Sequence, residues 1–185
     1  VSVKNNTIYM LINKHFKLLN QLKQKKNRYE LKLFTAEGIK TVHELMAAGL
    51  DLKYLFATGD YENPFHSEAL ITVDSATLKK ISNLKTPNQV LGVFQIPLRT
   101  DFLRTGLALA LDDINDPGNL GTIIRLCDWF GVDQLVCSNN TVDCYNPKVV
   151  QATMGSLSRV SIVYCDLEEF LKNDGRPVYG TFLKG

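Results

Sequence analysis

Apolar positions along the chain change period several times, and each change marks an element. Ile8, Leu11, Ile12, His15, Leu18 and Leu19 recur at helical spacing, which predicts an amphipathic helix ending near Leu22. A basic elbow, KQKKNR (residues 23–28), leads into a strand, LKLFTA. Glu37 and Gly38 stand where that strand turns into a helix whose apolar face is Ile39, Val42, Leu45 and Met46. A carboxylate there suits the helix dipole, so Glu37 reads as a cap, and glycine permits a tight turn. LKYLFAT and ALITV read as strands, SATLKKISNL as a helix with Ser75 near its cap, and QVLGVFQIP as a closing strand. The alternation predicts an α/β/α layered unit of about a hundred residues.

After a joint, PLRTDFLRTG, the alternation begins again. LALALDD is a strand, Asn119–Phe130 a helix, QLVCS a strand, and Pro147 to about Leu157 a helix begun by proline, with Tyr145 and Asn146 in the loop before it. SIVYC (strand), DLEEFLKN (helix) and PVYGTFL (strand) follow. Apolar strands joined through helices imply a mainly parallel sheet covered on both faces. The fold class is α/β, with one layered unit over residues 1–98 and a second over 105–185.

Composition narrows the chemistry. The chain has 185 residues, 45% hydrophobic and 22% charged, with no run as long as a membrane span and no secretory leader, so the expectation is a cytoplasmic protein without a membrane partner. Cys127, Cys137, Cys144 and Cys165 are spaced by 10, 7 and 21 residues, which fits neither a zinc knuckle nor a redox pair, and they read as reduced core residues. His15, His43 and His66 have no partner at ligand spacing, so no metal is expected. Charge is uneven. Residues 1–99 hold 14 Lys/Arg against 8 Asp/Glu, a net of +6, and residues 100–185 hold 7 against 11, a net of −4. A polyanion would meet the first half. Lys14, Lys17, Lys23, Lys25, Lys26, Arg28 and Lys32 form its basic region. By itself such a run is more often a solvated face than a set of phosphate contacts.

The chemical signal lies in DPGNLG, residues 116–121. Asp116 and Pro117 turn the chain at a strand's carboxyl end, Gly118 and Gly121 keep side chains clear, and Asn119 carries both a donor and an acceptor. At about 100° per residue, Leu120, Ile123, Ile124 and Cys127 share one side of the helix that follows, and Thr122, Arg125 and Trp129 share the other. Arg125 is then either a surface residue stacked on Trp129 or a guanidinium fork for a phosphate or carboxylate near a helix N-terminus. The turn lacks the spacing of a dinucleotide fingerprint and the ending of a P-loop.

LDDINDPGNLGTIIRLCDWFGVDQLV resembles the first signature motif of the SpoU/TrmH family of RNA ribose methyltransferases, SPOUT enzymes with a trefoil-knotted fold. The matching positions are the turn, Asn119, Gly121, Arg125, Asp128 and the FGV exit. KVVQATMGSLSRVSIVY is similar to the family's next stretch, and QKKNRYELKLFTAEGIKTVHELMAAG is similar to its ribosomal-protein-like substrate-binding domain. The resemblance implies methyl transfer from S-adenosylmethionine to a ribose 2′-hydroxyl of structured RNA, with ribosomal RNA favoured and transfer RNA the alternative, by a homodimer formed through the knotted domain. It assigns Arg125 as the catalytic arginine, Asn119 as a residue shaping the site, and Gly180 and Thr181 to the methionine-donor pocket, and it turns the basic region into phosphate contacts, with Lys25, Lys26 and above all Arg28, at the turn, as the candidates for RNA. The family's GNEGxG-like loop and its Ser-Leu-Asn helix would come after Gly185, so the expectation is that these 185 residues alone neither hold the donor tightly nor turn over. The alternatives are a non-catalytic RNA-binding module with a truncated methyltransferase domain and, more distantly, a small-molecule enzyme using the strand-end crevice.

Overall fold

The computed structural model describes residues 14–98, 102–103 and 105–181. Its first helix, α1, covers residues 14–21 of these; the helix start expected around Ile8–Ile12 lies outside them. The elbow expected at residues 23–28 is in large part a second helix, α2 (Lys25–Leu31). It ends at Lys32 in the left-handed conformation (φ 54°). KQKKNR has no apolar periodicity to announce this helix, which is fixed instead by Arg28 turning into the interior.

The elements that follow are β1 (Leu33–Glu37), α3 (Ile39–Ala47), β2 (Leu52–Ala57), β3 (Leu70–Thr72), α4 (Ser75–Ile81) and β4 (Val90–Gln95). The four strands form one sheet in the order β1-β4-β2-β3, in which β4 is antiparallel to both neighbours and β2 and β3 are parallel. Alternation along β4 divides two cores. Val90 and Phe94 face one side, whereas Leu91 and Val93 join Leu19, Leu22, Phe56, Leu78 and Ile81 on the other. The cap of α4 is Asp74, whose carboxylate accepts the Thr77 N–H at 2.6 Å, rather than Ser75. Glu37 does not cap α3. It is buried, and it accepts the Asn83 N–H at 2.7 Å and the Ser82 hydroxyl, tying down the loop after α4. Gly38 (φ 88°) makes the turn into α3.

The second sheet is wholly parallel, β5 (Ala108–Leu111), β6 (Gln134–Ser138) and β7 (Ser161–Cys165) in that order. Between the strands run α5 (Pro117–Phe130) and α6 (Pro147–Thr153), and after them α7 (Leu167–Asn173). The helix expected to reach Leu157 stops at Thr153, because Met154 and Gly155 both take positive φ, and a short 3-10 turn (Ser156–Ser158) follows. Every residue of β6 is buried. Leu135 and Cys137 face the helices α5 and α6, and Val136, pointing oppositely, is covered as well, so the sheet is packed on both faces. No strand forms over residues 177–181; the rest of the expected PVYGTFL strand lies outside the described residues. Pro177 offers no ladder N–H, and Val178 and Tyr179 are exposed.

The two sheets share one core. Phe34 and Phe94 stack at 5.8 Å, Phe34 meets Tyr145 at 4.9 Å, and the same cluster continues through Leu120, Ile124, Leu135 and Val149. All four cysteines are free thiols, and burial pushes the Cys137 thiol up to about 12. No described helix is long and apolar enough to cross a membrane.

Candidate functional site

The N-terminus of α5 is built for exposure. Asp116 accepts the Asn119 N–H at 2.8 Å, and Pro117 opens the first turn, where its missing N–H costs nothing. Leu120, Ile124 and Cys127 are buried, while Asn119, Thr122 and Arg125 follow one another at i, i+3 and i+6 along the outward stripe. Gly121 serves packing: a Cβ there would collide with Ala152 of α6, so glycine lets the two helices close.

This stripe faces a cleft of about 670 Å³ whose opposite wall is the start of α3. Asn119, Thr122 and Arg125 line it from α5, Lys40 and Thr41 from α3, and Met154 from the end of α6. Arg125 is exposed and makes no hydrogen bond, ion pair or ring contact among the described residues; in particular, it does not stack on Trp129. Its guanidinium fork is thus free for a ligand, beside Lys40 and two helix N-termini, and the arrangement attracts a phosphate. Arg125 and Asn119 are brought together as expected. Gly180 and Thr181 are exposed and line no part of this cleft. Lys40 and Met154 were not foreseen as site residues, since the cleft joins elements far apart in the chain; the basic residue just after the Gly38 turn was the available signal.

Beside the cleft, a surface clamp ties α5 to α3. Arg159 donates to both oxygens of Asp128 on α5, at 3.0 and 2.9 Å, and to Glu44 on α3 at 2.8 Å. The Arg159 hydrogen bond holds the Asp128 carboxyl below its usual range.

Arg28 corrects the sequence expectation. It is only 2% exposed, and its donors are all directed inward. Nε and Nη2 reach Asp143 Oδ2 at 3.0 and 2.5 Å, and Nη1 reaches the carbonyls of Leu22 and Lys23 at 2.9 and 3.0 Å. The other Asp143 oxygen accepts the Tyr29 hydroxyl at 2.8 Å and the Tyr145 N–H at 3.1 Å. Burial and the neighbouring carboxylate together raise the Tyr29 phenol. A guanidinium so enclosed joins the two sheets and is closed to RNA. Lys25 and Lys26, by contrast, are exposed. Among the described residues no cluster of His, Cys, Asp and Glu is arranged to hold a metal.

Residues 106–185 match the SpoU rRNA Methylase family, and residues 13–92 match the MRM3-like substrate binding domain. The Bacillus subtilis 23S rRNA (guanosine(2553)-2′-O)-methyltransferase RlmP is 29% identical over 178 residues, 93% of this chain and 71% of that protein. Human mitochondrial rRNA methyltransferase 3 is 31% identical over 141 residues, 69% of this chain and 34% of its own. Among solved structures, a TrmH-family protein from Porphyromonas gingivalis superposes with a TM-score of 0.81 at 34% identity, over 92% of this chain and 70% of that one. The AdoMet-bound rRNA methyltransferase of Sinorhizobium meliloti gives 0.75 at 29%, over 86% and 64%.

Proposed function

Because the chain belongs to the SpoU/TrmH family of RNA methyltransferases, we propose that it transfers a methyl group from S-adenosylmethionine to a ribose 2′-hydroxyl of ribosomal RNA. The observation that carries this reading is Arg125, without a partner among the described residues, in a cleft shared with Lys40 and Asn119. A ribose hydroxyl is a weak nucleophile. Arg125, gripping the adjacent phosphate through its fork, sets the hydroxyl in place and stabilises the alkoxide that develops as its proton leaves. Lys40 neutralises a second phosphate, and Asn119 offers a neutral donor and acceptor to the ribose or base edge. S-adenosylmethionine supplies the methyl group when bound. Arg125, Lys40 and Asn119 act on the RNA side of the reaction, because a guanidinium, an ammonium and an amide gathered in one cleft match phosphate and ribose.

Arg125→Ala in the whole polypeptide tests this reading. Methyl transfer to ribosomal RNA should fall by at least about a hundredfold, while RNA affinity changes by a few-fold. Equal loss of affinity and rate would make Arg125 a binding residue only, and an unchanged rate would favour a non-catalytic RNA-binding module.

The protein acts as a homodimer through the outer face of α5. Trp129 is 83% and Phe130 72% exposed, and Leu126 and Met154 are exposed beside them. Such a contiguous apolar patch, next to the Arg125 cleft, suits a second copy of the chain. Trp129→Glu should convert a dimer to a monomer in light scattering; a wild-type monomer would overturn the assignment.

A further inference from the structure

A second cleft, of about 480 Å³, opens between α2, the end of β4 and the edge strand β7, away from the Arg125 stripe. Its size is within the range of small-ligand sites. Lys25 and Lys32 stand among its lining residues, Tyr29, Tyr145, Tyr164 and Ile162 make up much of its wall, and no carboxylate lines it. Asp143, next in sequence to the lining residue Cys144, is already engaged by Arg28 and Tyr29.

The aromatic rings are fixed before any ligand arrives. The Tyr29 hydroxyl donates to Asp143 at 2.8 Å. The Tyr164 hydroxyl donates to the Val142 carbonyl at 2.7 Å and accepts the Cys144 N–H at 2.8 Å. Tyr29 meets Tyr145 edge to face at 6.5 Å, and the Lys25 ammonium lies 5.7 Å from the Tyr164 ring centre. Pinned rings beside two lysines, neither of which pairs with a carboxylate among the described residues, form an aromatic wall with a phosphate anchor, and little ordering remains to be done on binding.

We propose that this cleft takes one unstacked nucleotide of the RNA substrate, its base against Tyr29 and Tyr164 and its phosphate on Lys25 and Lys32. The inference rests on the RNA reading above and adds a second contact to it. Helix α6 connects the two clefts: Tyr145 lies just before it and Met154 just after it, and its 7 residues span only about 10 Å.

The test is photocrosslinking of a single-stranded oligoribonucleotide carrying 5-iodouridine, followed by peptide mapping, with the salt dependence of binding measured alongside. Adducts are expected on Tyr29, Tyr145 or Tyr164, and they should persist in excess uridine monophosphate if the nucleotide is held as part of RNA. Lys25→Gln with Lys32→Gln should weaken binding about tenfold and lower the salt slope by about one, since both lysines hold the same phosphate. RNA bound with adducts only around Lys40 and Arg125, adducts abolished by the free nucleotide, or an unchanged salt slope would each overturn the proposal while leaving the methyltransferase reading intact. Failure to bind RNA at all would overturn both.

Discussion

Replacing Arg28 separates a structural role from an RNA-binding one by magnitude alone. The Arg28–Asp143 pair is buried, with side-chain exposures of 2% and 3%, and it connects positions 115 residues apart. Arg28→Ala removes both charge-assisted bonds to Asp143 and the bonds to the Leu22 and Lys23 carbonyls. Asp143 keeps only the Tyr29 hydroxyl and Tyr145 N–H, which do not neutralise a carboxylate. Breaking a buried pair from one side costs about 3–5 kcal/mol, most of it from the stranded charge. For a chain of this length that corresponds to a fall in melting temperature of roughly 6–20 °C. Arg28→Lys should recover only part of this, because an ammonium cannot span the carboxylate and two carbonyls as the fork does. Asp143→Leu combined with Arg28→Met should recover more than Arg28→Ala retains, since neither charge is then left behind. Urea denaturation and thermal melts give the values. A loss below about 1 kcal/mol for Arg28→Ala, with RNA affinity reduced instead, would refute the buried bridge.

Two further substitutions probe the frame around the Arg125 cleft. Gly121→Ala should cost about 1–3 kcal/mol in thermal melts through its collision with Ala152, and Ala152→Gly in the same chain should restore part of it. Arg159→Ala should cost under about 1 kcal/mol, as the clamp is largely exposed. Since Arg159 holds the Asp128 carboxyl below its usual range, the difference from wild type should be full near neutral pH and shrink as pH falls below about 4; a difference that grows in acid would contradict this linkage.

Much of the architecture was legible because burial imposes a period. The strand of β4 and the helical stripe of α5 are visible without coordinates, and the stripe placed Thr122 and Arg125 on the exposed side where they stand. Arg28 shows the limit. A charge run displays its neighbours in sequence, whereas Asp143, which decides the fate of Arg28, is remote in the chain. Lys40 escaped notice for the same reason: the Arg125 cleft exists only where α3 meets α5. Lys25 and Lys26, one turn from Arg28, are exposed, so within a single short helix the same kind of charge is both structural and available to a ligand. The helix ending at Thr153 depended on Met154 adopting a left-handed conformation that its side chain does not advertise.

The central claim concerns which atom of the RNA is methylated. Ribosomal RNA treated with the whole polypeptide and isotopically labelled S-adenosylmethionine, then digested to nucleosides and separated by mass spectrometry, answers it directly. Label confined to a ribose 2′-oxygen, and absent with Arg125→Ala, is the predicted result. Label on a base, or RNA bound by the wild-type protein without any methyl transfer, would contradict the account.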